Sequence, residues 1–156
     1  MEREIVSKLK ITSPVFSDGE KIPRKYGYTK KNINPPLEIS SVPENTRSLA
    51  LVMDDPDAIE PAGKVWDHWV LWNIPPKIET IEEDNVPNEV SEGRNDYKKI
   101  GYGGPNPPDK EHTYIFKLYA LDSKLDLKNG STKSDLEEAM KGHIIDKTKL
   151  TGTYAP

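Results

Sequence analysis

Hydrophobic positions along this chain predict a β-sheet protein with buried strands. Residues 49–53 are all apolar and form a run short enough for a strand buried on both faces. Residues 66–74 alternate with a period of two, which is typical of a strand. One side of this strand carries Trp66, His68, Val70, Trp72 and Ile74, and the other carries Asp67, Trp69, Leu71 and Asn73. Because both sides are largely apolar, we expect an interior strand.

A third interior strand is predicted over residues 113–121, which are rich in aromatic and aliphatic side chains. His112 lies at its entrance, on the same face as Tyr114. A short strand is also expected within residues 37–42, followed by a turn. A weaker alternation near the N-terminus predicts a half-buried first strand with Ile5, Ser7, Leu9 and Ile11.

The segments between these strands are predicted to be ordered loops. The chain contains 14 prolines and 10 glycines, which favour an all-β protein with long connections. Residues 12–36 should form a loop pinned by buried rings, residues 61–63 a loop between two strands, and residues 77–99 a polar excursion over the surface. Residues 101–108 are rich in glycine and proline and can point backbone N–H groups inward. The rings expected to pin the first loop are Phe16, Tyr26 and Tyr28.

One helix is predicted near the C-terminal end. The sequence Ser134-Asp135-Leu136-Glu137 has the spacing of a capping box. The apolar face that follows has helical spacing and should pack on the sheet, which gives its histidine a packing role. That face consists of Leu136, Met140, His143 and Ile144.

Length, charge and cysteine content narrow the functional classes. A chain of 156 residues is expected to form one domain, over residues 1–156. Its formal net charge of −4 argues against nucleic-acid binding, which requires clustered Lys and Arg. It has no cysteine for disulfides, thiolate metal ligands or nucleophiles. The N-terminus is charged and no apolar segment approaches the ~20 residues of a membrane span, so we expect a cytoplasmic protein.

The candidate chemistry lies where the interior strands begin or end. If the strands at residues 66–74 and 113–121 are neighbours, two imidazoles, a phenol and the inward amides of residues 101–108 would form a nest for an anion such as phosphate. A nearby carboxylate would fix the histidine tautomer and raise the histidine pKa, so that anion binding strengthens as the pH falls toward ~6.5. The residues concerned are Asp55, Asp57, His68, His112 and Tyr114.

Two other interpretations of these residues stay open. Each histidine taken singly is more often a satisfied core residue, and the carboxylates around Pro56 can simply cap backbone amides of a turn. Alternatively, His68, His112 and Asp55 could hold Zn²⁺ or Fe²⁺, or act as acid–base groups, in a hydrolase. The sequence contains no HExxH, Gly-x-Ser-x-Gly, P-loop or Gly-x-Gly-x-x-Gly motif.

Several ordered motifs extend over nearly the whole chain. They include Asp54-Asp55-Pro56-Asp57-Ala58, His68-Trp69-Val70, Asn73-Ile74-Pro75, Asn95-Asp96, Gly101-Tyr102-Gly103-Gly104-Pro105 and His112-x-Tyr114-x-Phe116. In this set the chain resembles the phosphatidylethanolamine-binding proteins, also called Raf-kinase-inhibitor-like proteins, and in particular their bacterial and archaeal branch.

This resemblance implies a mainly β fold of two antiparallel sheets with a few short peripheral helices. It implies a pocket for phosphate or a phospholipid headgroup, and action by binding, as an inhibitor or scaffold of a kinase or serine protease, rather than by catalysis. It implies neither cofactor nor metal, and homodimers occur among prokaryotic relatives. By matching motif, the ligand-binding residues would be Asp55, Trp66, His68, Gly103, Gly104, Pro105, His112 and Tyr114.

Three departures from the family pattern lie around the implied pocket. Ile59 stands where the family usually has proline after Asp-Pro-Asp-Ala, and the proline follows at Pro61. Thr113 replaces the arginine of the usual His-Arg-Tyr, which removes a cation from the entrance. The loop between Pro108 and His112 is short and lacks the usual glycine.

Overall fold

The computed structural model describes residues 8–156. Its strands are β1 (Lys10–Thr12), β2 (Leu37–Ser40), β3 (Ser48–Asp55), β4 (Trp66–Ile74), β5 (Thr80–Ile81), β6 (Ser91–Glu92), β7 (His112–Leu121) and β8 (Ile144–Tyr154), and its helices are α1 (Ile59–Ala62) and α2 (Lys133–Met140), with 3₁₀ turns at Arg24–Tyr26 and Pro56–Ala58. All strand pairs are antiparallel. One sheet has the order β1-β2-β5 and the other β6-β4-β3-β7-β8. The predicted mainly β fold of two antiparallel sheets is confirmed.

The main hydrophobic core lies between the two sheets. Leu37 and Ile39 of β2 belong to the same buried cluster as Leu51 of β3 and Phe116 of β7. A second buried cluster lies on the other face of the larger sheet, where α2 covers Val52 and its neighbours on β3 and β4. Since β3 is buried along its whole length, it is the central strand on which both clusters are built.

The three interior strands predicted from the sequence are confirmed as β3, β4 and β7. However, β3 lies between β4 and β7, so the expectation that β4 and β7 are neighbours is wrong. The polar segment 77–99 contributes the short strands β5 and β6, and β8 forms an edge strand that was not predicted. Of the predicted first strand, Ile5 and Ser7 lie outside the described residues.

Two β-bulges interrupt the alternation of β4. Met53 pairs with Trp69, whereas the next residue of β3, Asp54, pairs with Asp67, so His68 is an extra residue. A second irregularity lies near Asn73, which has a φ of 55°. Each bulge turns the following side chains to the opposite face. The strict two-face assignment was therefore wrong, because Val70 and Trp72 face α2 while His68 and Ile74 lie on the main-core side with Trp69 and Leu71.

Helix α2 is shorter than predicted and is capped by a different pair. The Thr132 side chain accepts from the Asp135 amide, and the Asp135 carboxylate accepts from the Thr132 amide, which completes a capping box. The helix ends at Met140, ahead of Gly142 with a φ of 80°. The packing role expected for His143 is wrong, since this residue lies outside the helix, is half-exposed and pairs with Asp122 at 2.8 Å.

The connection from β3 to β4 is helical rather than an open loop. The 3₁₀ turn Pro56–Ala58 leads directly into α1, which ends at Gly63 in the left-handed conformation with a φ of 78°. Ala58 of the 3₁₀ turn and Pro61 and Ala62 of α1 line the pocket described below.

No helix in the described part of the chain is long and apolar enough to cross a membrane.

Candidate functional site

The bulge that His68 forms in β4 turns its side chain to the face of the sheet where it contacts the ring of Tyr114. Its Nδ1 lies 2.7 Å from the carbonyl oxygen of Gly103. Because a carbonyl only accepts, Nδ1 must carry the hydrogen, which leaves Nε2 as an acceptor in the neutral ring. Burial lowers the pKa of His68 to about 4, against the opposing effect of the Gly103 and Gly104 carbonyls. His68 is therefore neutral at pH 7, in contrast to the raised pKa expected from the sequence.

Asp55 ends β3 and uses both carboxylate oxygens inside the protein. Oδ1 accepts from the backbone amide of Asp57 at 2.9 Å, and Oδ2 lies 2.6 Å from Nδ1 of His112. The exposed Asp57 accepts from the Thr113 amide at 2.8 Å, which ties the turn to the start of β7. The amide-capping interpretation thus describes Asp57 and one oxygen of Asp55. The other oxygen of Asp55 orients His112.

His112 is held between two carboxylates. While Asp55 contacts Nδ1, the Oδ1 of Asp109 lies 2.7 Å from Nε2. Carboxylates only accept hydrogen bonds, so the ring satisfies both as an imidazolium with two N–H donors. Burial acts to lower the pKa of His112, but the hydrogen bonds and charges of Asp55 and Asp109 outweigh it and raise the pKa. The raised pKa predicted for a site histidine thus belongs to His112.

These groups border a pocket of about 280 Å³. The Tyr114 ring contacts both imidazoles, with centroids 5.2 Å from His68 and 6.3 Å from His112. The ring of Tyr97 meets that of His68 edge-on, with centroids 5.7 Å apart. Tyr97 also stacks on Tyr28, with centroids 3.9 Å apart. The lining residues are Asp55, Ala58, Pro61, Ala62, Trp66, His68, Tyr97, Asn106, Pro107, Pro108, His112 and Tyr114.

Two lining side chains have buried donor groups without an acceptor among residues 8–156. These are the indole N–H of Trp66 and the hydroxyl of Tyr114. A buried polar group without a partner is costly, and native structures satisfy nearly all of them with protein, water or ligand. Both residues line the pocket, and a small movement of the pocket wall would let an oxygen atom inside it reach these buried donors.

Five of the residues predicted for ligand binding line the pocket, namely Asp55, Trp66, His68, His112 and Tyr114. The remaining three, Gly103, Gly104 and Pro105, lie beside it and are used in protein contacts. The amide of Gly103 donates to the His68 carbonyl at 2.9 Å, the amide of Gly104 donates to Asn32 Oδ1 at 2.7 Å, and the Pro105 carbonyl accepts from the Tyr28 amide at 2.9 Å. These amides therefore hold the pocket wall in place instead of pointing inward.

The sequence analysis missed two residues of this site, Tyr97 and Asp109. Tyr97 lies in the polar segment 77–99, in a turn fixed by Asn95, whose Oδ1 accepts from the Tyr97 amide at 2.9 Å. A single aromatic residue directly after the motif Asn95-Asp96 was the available signal. Asp109 precedes His112 by three residues in an exposed loop, and nothing in its sequence context distinguishes it from a solvated charge.

The alternative metal site finds no support in this geometry. Throughout residues 8–156, no group of three or more His, Asp or Glu side chains is arranged to hold a metal ion. His68 and Asp55 both line the pocket, yet the carboxylate contacts His112 and the carbonyl of Gly103 contacts His68. Nε2 of His68 is left free, but both oxygens of Asp55 and both nitrogens of His112 are already bonded within the protein, so the three side chains do not converge on one ion.

Comparison with known proteins agrees with this architecture. Residues 12–155 match the family model described as phosphatidylethanolamine-binding protein. The chain is 44% identical over 151 residues to the UPF0098 protein of Methanothermobacter thermautotrophicus, covering 94% of this chain and 98% of that protein.

Two solved structures extend the agreement to three dimensions. A structure described as a phosphatidylethanolamine-binding protein homolog from Chlamydia trachomatis superimposes with a TM-score of 0.90 at 40% identity, covering 96% of this chain and 98% of that one. YbcL of E. coli, described as a member of the mammalian family, gives a TM-score of 0.87 at 31% identity, with 95% and 98% covered. The resemblance predicted from the sequence motifs is confirmed, and this chain belongs to the phosphatidylethanolamine-binding protein family.

Proposed function

We propose that this protein binds a phosphate group, free or as part of a phosphorylated headgroup, in the pocket between His68 and His112. The observation that carries the proposal is the set of donors around one small volume. The buried imidazolium of His112 contributes a charged donor once the carboxylate of Asp109 moves away from it, and the Trp66 indole and the Tyr114 hydroxyl are buried donors without an acceptor among the described residues. Donors of this kind favour an anionic oxygen acceptor.

The size and lining of the pocket favour a headgroup over a whole lipid. Its volume of about 280 Å³ lies just below the ~300–1,000 Å³ usual for ligand pockets. The rings of Trp66 and Tyr97 form an aromatic wall that suits an ammonium group as well as an apolar stem. A phosphoethanolamine headgroup combines the anion and the cation that these surfaces complement.

The same geometry favours binding over catalysis. Among the described residues, the pocket lining contains no Ser, Thr or Lys side chain, so the free Nε2 of His68 has none of these nucleophiles to activate. Both nitrogens of His112 are already bonded to carboxylates, so this ring has no free position from which to accept a proton from a substrate. Inhibition of a kinase or serine protease remains a prediction from the family resemblance, since no contact among the described residues tests it.

Phosphate binding should be stronger at pH 6 than at pH 8. The folded pKa of His112 is raised, so its charge is fully present below its ordinary value of ~6.5 and is lost as the pH rises through the folded value. A phosphate ester is itself less charged at pH 6, so tighter binding there must originate in the protein. Isothermal titration with inorganic phosphate and with phosphoethanolamine at both pH values measures the effect and separates the two ligand sources.

A matched pair of variants assigns this pH dependence to one ring. His112→Gln should abolish the gain at pH 6, whereas His143→Gln, which alters a half-exposed histidine paired with Asp122, should leave it unchanged. Equal affinity at the two pH values in the unmodified protein would contradict the proposal, as would full retention of binding by His112→Gln. Circular dichroism spectra of both variants confirm that they are folded.

A further inference from the structure

Asp109 is bonded to Nε2 of His112, the ring nitrogen that is not committed to the interior. The imidazolium has two N–H donors, and Nδ1 is committed to Asp55 in the interior. The other donor, Nε2, is bonded at 2.7 Å to a carboxylate oxygen of Asp109. In this arrangement an incoming anion finds no free donor on His112.

We propose that Asp109 is an internal substitute for the anionic oxygen of the ligand, and that the ligand binds by displacing Asp109 from Nε2 of His112. This inference rests on the proposed function of the pocket and names the residue that sets its affinity and selectivity. A carboxylate oxygen and a phosphate oxygen are chemically alike as acceptors of a charged N–H donor. The same ring position therefore accepts either one.

The two carboxylates bonded to His112 differ in how easily they can leave. The side chain of Asp55 is 4% exposed and also caps the Asp57 amide, so its removal would leave a buried group unpaired. The side chain of Asp109 is 35% exposed and lies in the short loop before β7. Water can solvate the Asp109 carboxylate as it swings out, so Asp109 is the exchangeable partner and Asp55 the fixed one.

Competition with Asp109 determines which ligands can enter. A neutral acceptor, such as an alcohol or an amide oxygen, forms a weaker bond to the imidazolium than the carboxylate that it would replace. A phosphate or phosphate ester carries a comparable or greater charge and can take over the contact. Asp109 therefore acts as a selectivity residue that admits anionic oxygen ligands and rejects neutral ones, at the expense of absolute affinity.

The test compares two single-charge removals in the same loop. Asp109→Ala and Asp109→Asn remove the competing carboxylate, and Glu111→Gln removes an exposed charge two residues away. Titration with inorganic phosphate at pH 6, where Asp55 keeps His112 charged, should show binding about tenfold tighter for both Asp109 variants, because the ligand no longer has to replace a charge-assisted hydrogen bond. Glu111→Gln should change the affinity less than about twofold.

Displacement has a separate readout in the unmodified protein. On addition of phosphate, the ¹³C resonance of the Asp109 carboxyl group should shift as it leaves the imidazolium, while that of Glu111 should stay in place. An Asp109 resonance that does not move while phosphate binds would overturn the displacement. Spectra of the variants, recorded in the same way, report on their folded state.

The outcomes separate this inference from the proposed function. Phosphate binding by the unmodified protein with no gain in the Asp109 variants, or an equal gain in Glu111→Gln, overturns the role of Asp109 and leaves the phosphate pocket standing. Weaker binding in both Asp109 variants would mean that Asp109 positions His112 for the ligand, which also overturns it. If phosphate binds to no variant at millimolar concentration, both proposals fail. Binding only after removal of Asp109 would show that Asp109 excludes phosphate instead of being displaced by it, which also overturns both.

Discussion

Gly104→Ala should lower the free energy of unfolding by at least about 3 kcal/mol, or prevent folding. A Cβ atom on Gly104 would lie 2.1 Å from the carbonyl oxygen of Tyr26 and 2.9 Å from the backbone of Gly27 and Tyr28. These are backbone atoms of the loop that crosses behind the pocket, so no side-chain rotation relieves the clash. Overpacking that forces the backbone to move typically costs ~1–3 kcal/mol and sometimes more. Urea unfolding followed by tryptophan fluorescence measures the change.

Gly142→Ala is the matched control for this substitution. At Gly142 a Cβ atom would meet nothing within 4 Å, and only its φ of 80° disfavours a side chain. Left-handed backbone costs a non-glycine residue ~1–2 kcal/mol, so Gly142→Ala should be clearly milder. If Gly104→Ala were as stable as Gly142→Ala, the close packing of residues 103–105 against the loop at residues 26–28 would be refuted as the foundation of the pocket wall.

Interior strands could be predicted from the sequence because burial on both faces leaves a strong signal. The apolar run at residues 49–53 and the dense pattern at residues 66–74 correspond to β3 and β4. Strand β8 left a weaker signal, since it lies at the edge of its sheet and only alternate residues, such as Leu150, are buried. Its first residue, Ile144, continued a helical spacing that Gly142 in fact terminates.

The bulges in β4 show where pattern reasoning must fail. A period of two assumes that every residue of a strand has a partner on the next strand, and His68 has none in the ladder to β3. The residue that breaks the period, His68, also lines the pocket. A sequence carries no local mark of such a bulge, because its position is set by the pairing of β3 with β4 and by the hydrogen bond of His68 to Gly103.

Residues of the candidate site also differ in whether the sequence could predict them. Residues that belong to strands or their ends, such as Asp55, His68 and His112, could be selected from their chemical type and their position. Residues from loops could not, because tertiary contacts alone place Tyr97 against Tyr28 and Asp109 against His112. The amides of Gly103 and Gly104 were predicted to face the pocket, but they donate instead to the His68 carbonyl and to the Asn32 side chain.

Lys133→Met should lower the free energy of unfolding by about 3 kcal/mol at pH 7. On the α2 side of the larger sheet, the Nζ of Lys133 lies 2.7 Å from Asp67 and 3.3 Å from Asp54, and Lys117 lies 3.0 Å from Asp54. The side chain of Asp54 is only 1% exposed. Methionine preserves the packing of the stem but leaves the buried Asp54 with Lys117 alone and removes the ion pair of the partly buried Asp67. Breaking a buried ion pair by removing one partner typically costs ~3–5 kcal/mol, and the partial exposure of Lys133 places it at the low end.

Lys141→Met, just past the other end of α2, provides the comparison. Lys141 pairs with Glu138 at 2.8 Å, but both side chains are 74% exposed, and such surface pairs contribute ~0–1 kcal/mol.

Burial raises the pKa of Asp67, and Lys133 opposes that rise, so the loss of Lys133 should raise the pKa further. Protonation of the carboxylate then relieves the unpaired charge, and the stability gap between Lys133→Met and the unmodified protein should narrow as the pH falls from 7 toward 5. Urea unfolding of both variants at several pH values measures the difference in free energy of unfolding from the unmodified protein. If this difference stays constant with pH, or is no larger for Lys133→Met than for Lys141→Met, the cluster around Asp54 is not held together by charge.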